Sequence, residues 1–182
     1  MTGKWWTLVG ACFGLFLLML DSTVVSLALP SIRHDVGASA EQLQWMMNAY
    51  LLTIAVLAVT AGRLGDMFGR RRLFLIGMGA FGLGSVVSGL AADPDLLILG
   101  RILQGAGAAP VLALSLALVC NVFPEAEVPK ALGIWAAVSS SALAIGPLVG
   151  GVLVEIDWRA HLHPSARPVA GTSASKMPPK TC

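Results

Sequence analysis

Two ionisable residues, Asp21 and Arg101, stand inside long apolar runs. A charge at the centre of a membrane helix costs about 2.5–3.5 kcal/mol on insertion scales. A chain carries that cost where the charge meets a partner or a watery path. Asp21 lies about 16 residues into the first run, ~24 Å along a helix, with Ile32 ~16 Å beyond it. Arg101 lies six residues from Asp95, ~9 Å from the end of its own run. Both therefore fall in the same half of a bilayer. The expectation is that they line one cavity and influence each other's charge. The plainer alternatives are Arg101 snorkelling to the headgroups and Asp21 hydrogen-bonding a neighbouring helix. A second concentration of chemistry is "GRLGDMFGRRR", Gly62 to Arg72, with four arginines, one aspartate and three glycines between two oily stretches.

The elements that must position these residues follow from composition. The chain has 182 residues, 56% of them hydrophobic and 12% charged, with mean hydropathy +0.79. A water-soluble domain is about 25% charged, so lipid is the expected solvent. A helix needs about 20 apolar residues to cross a bilayer. Five such segments are expected near 5–31, 43–62, 73–92, 96–122 and 131–154, with Pro30 marking the end of the first. Lys4 precedes an apolar run, but the oily character resumes past Asp21 and no clear A-x-A site follows, which argues for a retained span over a signal peptide.

Basic residues in short loops orient a membrane protein. Lys4, Arg63, Arg70, Arg71, Arg72 and Lys130 fall on one side and Arg33 alone on the other, beside Asp35, Glu41, Asp93 and Asp95. The N-terminus is accordingly expected in the cytoplasm of a multi-pass plasma-membrane protein. Trp5, Trp6, Trp45 and Trp158 suit interfacial anchors. From residue 160 to 182 the chain is rich in Pro, Ser and Ala, and it is expected to be a disordered tail.

Close helix packing is expected at small residues four apart: Gly10 and Gly14, Gly65 and Gly69, Gly105 and Ala109, Gly146 and Gly150. Pro147, flanked by glycines, is expected to bend the fifth helix. The glycine-rich run Gly105–Pro110 has no strand before it and no GK[ST] after it, so it does not read as a phosphate loop. Cys12, Cys120 and Cys182 have no metal or disulfide spacing. His161 and His163 form the one weak metal pattern. No metal site, cofactor or nucleic-acid partner is expected. The histidines, His34 and two in the tail, make no nucleophile–base pair, so an enzyme is not expected.

Four segments together resemble the major facilitator superfamily, in particular its drug:proton antiporters with fourteen spans. "GRLGDMFGRRR" is similar to the signature between the second and third helices. "LDSTVVSLALPSI", Leu20 to Ile32, resembles the first-helix signature. "RILQGAGAAP", Arg101 to Pro110, resembles the fourth-helix motif with its intramembrane arginine. "AIGPLVGGVL", Ala144 to Leu153, resembles the fifth-helix antiporter motif. The resemblance implies an all-α membrane fold, with residues 1–159 forming five helices of an incomplete six-helix N-terminal bundle of inverted three-helix repeats.

It implies proton coupling at Asp21, Arg101 and Gln104. It implies a gating loop of Gly62, Gly65, Asp66, Gly69 and Arg70, in which Asp66 latches onto a helix N-terminus of the other half. It implies an antiporter hinge at Gly146, Pro147 and Gly150. The family commonly has arginine directly after the aspartate, where this chain has Met67. The implied partners are the lipid bilayer, protons and small lipophilic, often cationic substrates, with the exposed bundle face a candidate for self-association. Members of the family continue beyond five helices. The expectation is therefore an N-terminal fragment that does not transport alone; the alternative is a non-transporting membrane protein or interaction subunit.

Overall fold

The computed structural model describes residues 2–155. Trp158, Arg159, the 160–182 segment and its His161 and His163 lie outside the described residues. Within them are five helices: α1 (Thr2–Val36), α2 (Ala40–Phe68), α3 (Arg70–Leu90), α4 (Pro94–Val122) and α5 (Val128–Glu155). All five are long and apolar enough to cross a membrane. The chain is an all-α membrane protein.

Helix starts follow from local chemistry. Ser39 caps α2 in a reciprocal box, accepting from the Gln42 backbone N–H while the Gln42 side chain accepts from Ser39 N–H. Two of the orphan donors at the helix start are thereby satisfied. Asp93 caps α4 by accepting from Leu96 N–H, and Pro94 follows at the first turn, where its missing N–H costs nothing. Oily periodicity alone places the start of α2 three residues late, because it marks the lipid and not the cap.

Two expected boundaries need larger correction. The helical backbone of α1 runs through Pro30 to Val36, so Pro30 does not end it. A proline deletes one donor of the ladder, and bonding resumes on either side. The Gly62–Arg72 segment is likewise not a loop. Gly62 to Phe68 form the last two turns of α2, and Arg70 to Arg72 open α3. Gly69 alone separates them, at φ 99°, a backbone region where a side chain is strained. Charged residues end the apolar run at Arg63 but do not end the hydrogen-bond ladder.

α4 is the centre of the bundle. It packs on α3, on α2 and on α1, while α5 packs chiefly on α1. Small residues make this approach feasible. A Cβ on Gly77 would sit 2.8 Å from the Gly107 carbonyl oxygen, and one on Gly84 2.6 Å from the Gln104 backbone nitrogen. Gly107 lies against the backbone of Phe81 and Gly77 with no room for a methyl. Of the expected Gly10 and Gly14 pair, only Gly14 is a packing contact, against Phe74 and Val111; Gly10 has nothing within 4 Å. Apolar layers complete the core. One gathers Leu18, Tyr50, Phe74, Phe81, Ala108, Val111 and Leu118, and another Leu8, Ala11, Cys12, Val119, Phe123 and Ala131.

Because backbone cannot yield as a side-chain tip can, Gly107→Ala is expected to pry α3 from α4 and cost at least the 1–3 kcal/mol typical of overpacking. Gly79→Ala, with nothing within 4 Å, is expected to be neutral. Thermal unfolding of both variants in detergent checks the contrast.

Candidate functional site

Arg101 and Gln104 are three residues apart on α4, so both project toward one side. Both are 1% exposed. Arg101 Nη1 donates to Asp21 Oδ2 at 2.7 Å and to Gln104 Oε1 at 2.9 Å. Gln104 Nε2 donates to the other carboxylate oxygen, Asp21 Oδ1, at 3.0 Å. One carboxylate on α1 is thus held by two side chains of α4. The expected pair exists, and burial excludes snorkelling of Arg101.

Two serines of α3 orient the amide. Ser85 Oγ accepts from Gln104 Nε2 at 2.8 Å, and Ser88 Oγ donates to Gln104 Oε1 at 3.2 Å. Tyr50 of α2, itself buried, places its ring under the guanidinium, with Arg101 Cζ 4.2 Å from the ring centroid. A desolvated cation over an aromatic face gains about 2 kcal/mol. Arg101 Nε and Nη2 are buried without a hydrogen-bond partner among the described residues. The site therefore draws on four helices; Asp21 keeps some access, its side chain being 17% exposed, as do the partly buried Ser85 and Ser88.

Glycines let the backbones close around this cluster. A Cβ on Gly105 would meet the Tyr50 carbonyl oxygen at 2.8 Å, and one on Gly146 would meet Thr23 Cγ2 at 2.6 Å. Gly146 thereby seats α5 on α1 two residues from Asp21. Sequence reasoning did not find Tyr50, Ser85 or Ser88. Serines at 85 and 88 share the three-residue spacing of Arg101 and Gln104, which is the signal available for them.

Residues 11–162 match the family model for the Major Facilitator Superfamily. The chain belongs to that superfamily. It is 45% identical over 169 residues to a puromycin resistance protein of Streptomyces alboniger, covering 92% of this chain and 33% of that protein. It is 40% identical over 157 residues to a tetracenomycin C resistance and export protein of Streptomyces glaucescens, covering 86% and 29%. A multidrug resistance protein, Stp, of Mycobacterium tuberculosis is 44% identical over 156 residues, covering 85% and 29%. The chain spans about a third of the length of these relatives.

The other motif of this superfamily member lies at the opposite end of the bundle. Asp66 Oδ1 accepts from Arg70 Nε at 2.9 Å and Nη2 at 2.8 Å, and Arg70 Nη1 reaches the Ala117 carbonyl oxygen of α4 at 3.4 Å. Arg70 so ties the α2–α3 corner to α4. The Asp66 side chain is 61% exposed. Gly65 packs against Leu114, whereas Gly62 has nothing within 4 Å. Pro147 is inside α5 and Gly150 is one turn beyond Gly146. The structure thus places the cluster of Asp21, Arg101 and Gln104 apart from the corner of Asp66 and Arg70. Among the described residues no three His, Cys, Asp or Glu gather as metal ligands.

Removing one partner of a buried ion pair strands the other, at about 3–5 kcal/mol. Asp21→Asn is expected to destabilise the bundle on that scale. The double variant Asp21→Asn with Arg101→Gln is expected to be more stable than the sum of the single losses by about 1 kcal/mol or more, since contacting sites couple. Denaturant unfolding in detergent measures the cycle.

Proposed function

We propose that this chain is the N-terminal part, residues 1–159, of a proton-coupled exporter of small lipophilic and often cationic compounds. The observation that carries this reading is the carboxylate of Asp21, held by Arg101 and Gln104 inside a membrane bundle with a little access left. The names of the relatives, resistance and export proteins for puromycin, tetracenomycin C and multiple drugs, support antibiotics as the substrate class. Transport is proposed as the activity of a protein of the relatives' length.

In this reading Asp21 alternates between charged and protonated forms. A cationic substrate competes with Arg101 for the ionised form; protonation releases whichever of the two is bound. Gln104 follows the change by keeping a hydrogen bond to either form, since its amide both donates and accepts. Energetically, coupling requires only that substrate and proton differ in their preference for the two bundle conformations.

Gly62, Gly65, Asp66, Gly69 and Arg70 serve as the gate. The exposed Asp66 carboxylate is available to the positive N-terminal end of a helix in the second half. Gly146, Pro147 and Gly150 serve as a hinge where α5 meets α1. The N-terminus and the Arg70–Arg72 corner face the cytoplasm of a plasma-membrane protein, in keeping with the excess of basic residues on that face.

Binding of tetraphenylphosphonium, a lipophilic cation, to the purified protein across a pH series tests the coupling. Binding is expected to weaken as pH falls, because protonation removes the attracting charge at Asp21. Asp21→Asn is expected to bind weakly with a flat profile. An unchanged pH profile in that variant contradicts the proposal.

A further inference from the structure

A small cavity lies where α1 begins and α4 turns into α5, remote from the Asp21 cluster. Its volume is about 300 Å³, and it is lined by Lys4, Trp5, Phe123, Glu127, Lys130 and Ala131. Contacts among its walls join Lys4, Trp5, Phe123 and Glu127. Lys4 Nζ donates to Glu127 Oε2 at 2.6 Å and sits 5.6 Å from the centroid of the Phe123 ring. Trp5 meets that ring edge-on at 5.5 Å. Ala131 is 2% exposed and forms the floor, while Lys130 stays exposed at the rim.

We propose that this cavity binds the phosphate headgroup of a bilayer phospholipid. Three observations support it. The first is depth. Lys4 stands one residue inside the first span, Phe123 one residue beyond the fourth, and Lys130 in the first turn of α5. The cavity therefore opens at the level where lipid headgroups lie, and Trp5 is an aromatic of the kind that sits there.

The second is charge. Lys4 and Lys130 outweigh Glu127 by one positive charge. The same face of the bundle carries Arg63, Arg70, Arg71 and Arg72, so an anionic group is drawn toward it. Lys4 is partly neutralised by Glu127, which leaves Lys130 as the principal cation for the phosphate.

The third observation distinguishes a lipid from a free phosphate. Trp5, Val9 and Phe13 are spaced four apart on α1 and are 42%, 57% and 56% exposed. Residues at that spacing form one stripe. It runs from the cavity toward the bilayer interior as an apolar track for an acyl chain. Free phosphate has no use for such a track.

Glu127 then acts as a regulator of the site by occupying Lys4. The site goes beyond the transport reading and depends on neither Asp21 nor proton coupling.

The test is native mass spectrometry of the full chain released from detergent containing phosphatidylglycerol. Wild-type protein is expected to retain one phosphatidylglycerol. Lys130→Gln is expected to reduce retention about fivefold, the ratio that follows from roughly 1 kcal/mol per basic residue at a charged surface. Lys130→Arg is expected to restore it, and Glu127→Gln to raise it by freeing Lys4. Arg71→Gln, on the same face but outside the cavity, is expected to lower retention less than Lys130→Gln does. Equal retention in all variants overturns the proposal. Displacement of the lipid by millimolar inorganic phosphate assigns the site to a free anion and overturns the lipid reading. Transport plays no part in the readout, so failure here leaves the proposed function standing.

Discussion

A guanidinium held 1% exposed among apolar helices constrains everything around it. In a bundle of low dielectric its charge needs a counter-charge, and its N–H groups need acceptors. Asp21 supplies the first across the α1–α4 contact, at 2.7 Å. Tyr50 supplies a polarisable face in place of solvent. Gln104 links the two sides of the pair, its amide oriented by the donor-only guanidinium and the acceptor-only carboxylate, and Ser85 and Ser88 complete its hydrogen bonds. A change in charge at Asp21 is therefore felt by α1, α2, α3 and α4 together.

The packing of the bundle serves this constraint. α4 can reach three neighbours at once because glycines occupy its contact points, Gly105 toward α2 and Gly107 toward α3. Each removes the thickness of a side chain between two backbones. Hydrogen bonds near 3 Å become feasible only at that separation. A second tie, from Arg70 to the Ala117 carbonyl, anchors the far end of α4 to the α2–α3 corner. α5 touches α4 weakly and rides on α1.

Much of this was legible before the structure. Oily runs identified five helices, and two charges within them identified their own partner, because burial of a lone charge is too costly to be accidental. Helix lengths even placed Asp21 and Arg101 at matching depth. Other features were hidden for physical reasons. Hydropathy follows lipid and not hydrogen bonding, so it ended α2 at the first charge, six residues before Phe68. It also read Pro30 as a stop where the helical ladder resumes. Tyr50, Ser85 and Ser88 escaped notice because each is ordinary on its own helix. Only the rotation of α2 and α3 about α4 brings Tyr50 to Arg101 and the serines to Gln104, and that rotation is set by glycine contacts between segments distant in sequence. Gly10 and Gly14 show the same limit from the other side: identical spacing, yet only Gly14 meets a neighbour.

The 2.7 Å contact ties the surroundings of the Arg101 guanidinium to the charge of Asp21. Infrared difference spectroscopy of the purified protein on acidification tests it most directly. The account predicts a carboxylic-acid band that is absent in Asp21→Asn, rising together with a shift of the arginine guanidinium band. A carboxylic-acid band at Asp21 with the guanidinium band unmoved would contradict it.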